Sequence, residues 1–247
     1  MTAIDPFSKI IQFLVDENQP FPSRYLHRFS DMSPSDLKLL MDIWPGLSSS
    51  RKLTLLEDLE YLSDSDTLVN VEDLARSILS DQEPGVRIRA INLLWECTDP
   101  KLVPVYLSML GTDTDVDVRA TAASVLGQYV NLGELDQISP ELLHEIEQNL
   151  LASISDTSPG LLQRRALEAL GASSRNEIPP LIENAYHKNS LDWKVSALHA
   201  MGRSSDERWE KYILAHILDQ EDELRTEAIN AAGKLELNSA RMPLLDL

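Results

Sequence analysis

A single cysteine, Cys97, leaves this 247-residue chain without any intramolecular disulfide. That fits a reducing, cytoplasmic setting, with Cys97 read as a small apolar packing residue. No run of 18 apolar residues occurs, so no membrane-spanning helix is encoded. The N-terminus, Met1-Thr-Ala-Ile-Asp5, lacks the basic segment of a signal peptide. Basic residues are in deficit: 22 Lys and Arg against 40 Asp and Glu give −18. Residues 1–66 hold 11 acids and 6 bases, net −5, which leaves −13 for the rest. The acidity is spread along the chain, and its average field repels a polyanion such as DNA. Histidines stand at 27, 144, 187, 199 and 216, with neither His-x-His nor His-x-x-x-His spacing. Helical metal sites need closely grouped ligands. There is no phosphate-binding loop, Gly-rich dinucleotide turn or Gly-x-Ser-x-Gly. No catalytic residue, metal or cofactor is expected on these grounds.

What the chain does have is repetition. Val118-Arg-Ala-Thr-Ala-Ala-Ser-Val-Leu-Gly127 recurs in altered form from Val86, Leu162, Trp193 and Leu224, at spacings of 32, 44, 31 and 31 residues. Self-similarity at such a period signals a solenoid. Each copy is apolar at its first, eighth and ninth positions and has Ala fifth (Ala90, Ala122, Ala166, Ala197, Ala228). Those offsets follow one face of an α-helix. Gly stands tenth in four of the five copies and suits a helix end or tight packing. The end is the favoured reading, because Gly inside a helix costs about 1 kcal/mol relative to Ala. A less regular helix precedes each copy, for example at Leu102–Leu110, Leu142–Ile154, Pro180–His187 and Trp209–Leu218, joined to it by turns such as Asp81–Gly85 and Asp156–Gly160. Each unit therefore reads as an αα-hairpin that buries its apolar face only by stacking on neighbours.

The pattern Asp-x-x-(Pro)-x-Val-Arg-x-x-Ala-x-x-Ala-Leu-Gly, carried by these five stretches, resembles the HEAT family in its short bacterial form, the PBS-lyase HEAT-like repeats. The resemblance runs over roughly residues 67–247. It implies an all-α fold, a right-handed α-solenoid with an atypical helical N-terminal cap. The organisation expected is a cap at 1–66, then an array at 67–247 of five hairpins plus the first helix of a sixth. Because the motif is mostly packing residues, it implies fold more strongly than function. The Asp/Arg ladder (Asp81, Asp115, Asp192 and Asp222 with Arg87, Arg119, Lys194 and Arg225) is expected to be structural, each exposed pair contributing about 0–1 kcal/mol.

In the cap, helices are expected from Asp5-Pro6 to about Glu17, after Ser33-Pro34, and over Arg51–Leu62; the last is a degenerate repeat helix one period before Val86. The long 44-residue spacing implies an insertion around Asn131–Pro140, lengthening the following helix and leaving an edge loop. Arg241–Leu247 looks like a first helix without its partner, so the chain is expected to continue beyond Leu247.

Two surfaces are candidates for binding. If the apolar offsets point inward, the concave face presents Arg89, Asn92, Ser124, Arg165, Glu168, His199, Arg203 and Asn230. That set is mixed in sign and has no aromatic ladder, which suits a protein or peptide better than nucleic acid. Two helix exits carry Ser173, Ser174 and Arg175, and Ser204 and Asp206, as an edge cluster suited to an anion or carboxylate or to capping the next helix. Two function classes stay open. One is a non-catalytic protein–protein interaction scaffold or adaptor, with a protein or peptide partner and neither nucleic acid nor membrane. The other is an enzyme or accessory factor of the PBS-lyase or HEAT-type hydroxylase kind. Such hydroxylases use repeated His-Glu pairs, and this chain has one, His144-Glu145.

Overall fold

The computed structural model describes residues 6–155 and 157–245. Asp5, the turn residue Asp156, Asp246 and Leu247 lie outside the described residues. Within those residues all regular structure is helical, and the chain divides into two compact units, Met1–Cys97 and Thr98–Leu247.

The first unit holds α1 (Phe7–Val15), α2 (Pro34–Ile43), α3 (Ser49–Ser65), α4 (Glu72–Ile78) and α5 (Pro84–Leu93). Local chemistry sets their starts. Ser33 and Ser48 accept the Asp36 and Arg51 N–H groups, at 3.2 and 3.1 Å, and Pro34 and Pro84 stand at first helical positions, where their missing N–H costs nothing. Phe7, Phe21 and Phe29 cluster edge to face. Arg51 is buried and donates to the Asp16 and Gln19 carbonyls at 2.8 and 2.6 Å, tying α3 to the segment after α1. α3 packs on α5, burying Leu55, Leu56 and Leu59 with Val86, Ala90 and Ile91. Asp81 bonds this pair: its carboxylate accepts from Trp44 Nε1 at 2.7 Å and Lys52 Nζ at 2.9 Å.

The second unit runs α6 (Val103–Thr112), α7 (Val116–Glu134), α8 (Pro140–Ser153), α9 (Gly160–Ala169), α10 (Ile178–Tyr186), α11 (Leu191–Arg203), α12 (Glu210–Leu214), α13 (Asp222–Lys234) and α14 (Arg241–Leu245). α6 pairs with α7, α8 with α9, α10 with α11 and α12 with α13, and the second helices stack in the order α7, α9, α11, α13. The five fifth-position alanines of the chain are all fully buried.

Gly171, Gly202 and Gly233 stand at helix ends, as favoured above, and Gly127 does not; none of the four closes its helix in the left-handed conformation. No glycine has positive φ. The left-handed residues that close helices are Asp136 after α7, Ser205 after α11 and Glu236 after α13. Behind Asp136 and Glu236, Gln137 and Leu237 donate back to Leu132 and Ala232, the closing bonds of a Schellman motif. Gly127, inside α7, is instead a close-approach site: a Cβ there would lie 2.9 Å from Ala169 Cα. At Gly171 it would lie 2.6 Å from the Ala200 carbonyl oxygen, and at Gly202 2.7 Å from Ala231 Cα. The tenth residue of one copy thus meets the eighth of the next, and each contact needs both to be small.

The insertion lengthens the following helix and leaves a loop, as expected, and it also lengthens the helix before it. It extends α7 seven residues past Gly127 and leaves only 135–139 as a loop before the 14-residue α8. Ser139 caps α8 by accepting the Leu142 N–H at 3.2 Å. Ser139→Ala is expected to lower stability by about 1 kcal/mol in urea denaturation.

Candidate functional site

The structural reading of the second-position base holds: Arg225 pairs with the expected acid Asp222, and Arg87, Arg119 and Gln163 bond main-chain carbonyls. Arg87 donates to the Asp81 and Gln82 carbonyls (2.8 and 3.1 Å), Arg119 to Leu110 (2.9 Å), and Gln163 to Ser155 and Ser158 (2.7 and 2.8 Å). Arg225 bonds the Asp219 carbonyl at 2.6 Å and also the Asp222 carboxylate. These side chains satisfy carbonyls left over at the end of the hairpin's first helix and in the turn. Arg164 reaches the next repeat, at 3.1 Å from Asp192.

Three of the six concave-face candidates of the second unit bond one repeat to another. Glu168 is buried and accepts from Ser196 of the next repeat at 2.6 Å and from Arg165 at 2.7 Å. His199 Nδ1 lies 3.1 Å from Glu227 Oε1 of the next repeat. In both cases the seventh residue of one repeat copy meets the fourth of the next. Arg203 crosses a whole repeat to donate to the Gly127 carbonyl at 2.8 Å, and burial lowers its pKa below the usual arginine value. Ser124 bonds back to Ala120 of its own helix, while Arg165 and Asn230 are exposed.

The edge candidates sit in two separate arrangements. Ser173 is buried and donates to the buried Glu147, Ser174 N–H donates to Glu134 at 2.8 Å, and Arg175 bonds Glu177 at 2.8 Å and lies 3.7 Å from Glu147. Ser204 donates to the Met201 carbonyl at 2.7 Å. Asp206 accepts the Arg208 N–H at 3.0 Å and pairs with its Nε at 2.5 Å.

The same register joins α5 to α3 in the first unit, where Arg89 pairs with Glu60 and lies 3.4 Å from Glu57. Beside this pair opens a cleft of about 620 Å³, within the usual size of a ligand site. Its walls come from the last turns of α3 (Glu60, Ser63, Asp64), from Thr67 and Val69–Glu72, and from Asn92–Leu93 and Trp95–Cys97. Asn92 is the concave-face candidate that lines it directly. The lining holds four carboxylates, Glu60, Asp64, Glu72 and Glu96, and no lysine or arginine. Burial raises the Glu60 pKa, and Asp64 adds to this, against the lowering effect of Arg89 and Asn92. Glu60 Oε1 and Ser63 Oγ are buried without a hydrogen-bond partner. Trp95 is 44% exposed. Cys97 is buried at the margin, its Sγ 3.1 Å from Arg76 and 3.4 Å from Glu72. The wall is pinned from outside: Asp31 N–H donates to the Asn70 carbonyl at 2.8 Å, and Asn70 N–H to Ser30 Oγ at 2.9 Å.

Packing-dominated αα-hairpins in register define an α-solenoid. Residues 71–171, from just before α4 to just past α9, match the family model for HEAT repeats, and this stretch carries HEAT repeats. A stretch of 82 residues, 33% of the chain, is 30% identical to autophagy-related protein 2 of Ajellomyces capsulatus. The matched stretch spans 4% of that protein's length. Among solved structures, human deoxyhypusine hydroxylase in complex with glycerol aligns over 94% of this chain and 86% of its own, with a TM-score of 0.39 and 19% identity. Among the described residues no group of three or more His, Cys, Asp or Glu side chains is arranged to hold a metal, and no helix is long and apolar enough to cross a membrane.

Proposed function

We propose that this chain is a non-catalytic interaction scaffold that binds a protein or peptide, in a reducing compartment. The observation that carries the reading is the cleft beside α5. It is a preformed concavity with an exposed tryptophan, in an array whose other polar repeat residues mostly join one helix to another. In this reading residues 1–66 cap the first hairpin, and the array follows from 67. Asn92 in the cleft, with exposed Arg165 and Asn230, makes contacts, whereas Glu168, Ser173, His199 and Arg203 act by holding the surface in shape. The net charge of −18 supports a polypeptide partner over nucleic acid.

Panning a random peptide library against the purified chain tests this. A recurring sequence class should be enriched, and Asn92→Arg should weaken its binding about tenfold by blocking the cleft. A folded protein that enriches nothing contradicts the scaffold. The lyase or hydroxylase alternative is decided on the same sample: stoichiometric metal or a visible chromophore would favour an enzyme.

A further inference from the structure

We infer that the cleft beside α5 receives an arginine or lysine side chain of its partner, with Trp95 as the stacking wall and Asp64 and Glu96 as counter-charges. This rests on the scaffold reading and names the chemistry of the partner at that site.

Three observations converge. The first is charge. Four carboxylates line the cleft, and the two nearby arginines are already engaged, Arg89 by Glu60 and Arg76 by Cys97 and Glu72. Asp64 and Glu96 are exposed, with no ion-pair partner among the described residues. Crowded carboxylates raise the cost of keeping one another ionised, and an incoming cation relieves it. The second is the aromatic wall. Trp95 stands where four other repeats have Gly, three of them in close packing contacts, so an indole is presented where the other copies carry no side chain. An indole face attracts guanidinium and ammonium groups, and Leu68, 86% exposed beside the lining residues Thr67 and Val69, offers an apolar neighbour for the side-chain stem. The third is the pair of buried atoms without partners, Glu60 Oε1 and Ser63 Oγ, both on lining residues. Glu60 Oε1 is an acceptor awaiting a donor, and an arginine fork carries five N–H donors to supply one. Among the described residues the carboxylates do not converge as a metal-ligand group. An elongated organic cation therefore fits them better than a small metal ion.

The test uses the full chain and two fluorescein-labelled decapeptides, one alternating Arg with Leu and one alternating Glu with Leu, read by fluorescence anisotropy. The Arg peptide should bind and the Glu peptide should not. Binding should weaken at least about fivefold between roughly 50 and 300 mM NaCl. Trp95→Ala should weaken it about tenfold, and Trp95→Phe less. The pair Asp64→Asn with Glu96→Gln should weaken it about tenfold or more, while an equal charge change far away, Glu207→Gln with Glu223→Gln, should leave it within about twofold. All four acids are exposed, so the variants keep the fold, which circular dichroism checks. Equal loss in the distant control would show mere attraction to an acidic protein and overturn the cleft assignment. If the Arg peptide fails while the library yields another ligand, the inference falls and the scaffold stands. If no peptide of either charge binds and the library also fails, both fall.

Discussion

Asp81→Ala is expected to destabilise the first unit by about 3 to 5 kcal/mol, the usual cost of removing one member of a buried ion pair. Side-chain exposures of 10% for Lys52 and 6% for Asp81 place the pair inside. The substitution strands the Lys52 ammonium and leaves Trp44 Nε1 without its acceptor. With total stabilities of about 5 to 15 kcal/mol, such a loss brings the unit close to unfolding. Hydrogen exchange should show it first in the amides of α3 and α5. Replacing both charged partners, Lys52→Met with Asp81→Leu, should cost far less, because no unpaired charge remains. The pair also carries a pH signature. Burial pushes the Asp81 carboxyl up, but the Glu83 N–H, Lys52 and Trp44 outweigh it and hold the pKa below the usual carboxylate value. A carboxyl depressed in the folded state stabilises fully above its unfolded pKa, and that stability fades as pH falls through the folded value. The wild type should therefore lose this contribution below about pH 4, and Asp81→Ala should show a shallower acid limb.

The second large effect is a pair of opposite signs. Gly127→Ala and Gly171→Ala should each destabilise the second unit by about 2 kcal/mol or more, since the added methyl would meet backbone atoms of Ala169 and Ala200 at 2.9 and 2.6 Å. Backbone cannot step aside as a side-chain tip can. Gly233→Ala, in the same repeat position, meets nothing within 4 Å and should stabilise α13 by up to about 1 kcal/mol through helix propensity. Thermal denaturation of the three variants checks both signs. If all three stabilise, the small-residue ladder is not what spaces the helices.

The fold was legible because stacking demands a periodic apolar stripe, and Val86, Val118, Leu162, Trp193 and Leu224 mark it plainly. Helix ends were less so. Gly127 looks like a terminator, but α7 runs on to Glu134 and closes on Asp136, because the demand at Gly127 comes from Ala169, 42 residues later in sequence. Polar positions were harder still. Offsets that put Glu168 and His199 on a polar face cannot show that Ser196 and Glu227 wait across the helix boundary. The cleft did leave one trace. Trp95 breaks the tenth-position glycine rule, and Glu96 follows it. Asp64 and Glu72 join them only through the packing of α3 and α4 around α5, which no local pattern records.

The most direct test is an amide and indole NMR spectrum of the labelled full chain, titrated with the Arg-Leu peptide. The account expects shifts in the Trp95 indole and in amides of residues 63–72, with the indoles of Trp44 and Trp209 unmoved. Shifts gathered on α9, α11 and α13, or spread evenly over the acidic surface, would contradict it.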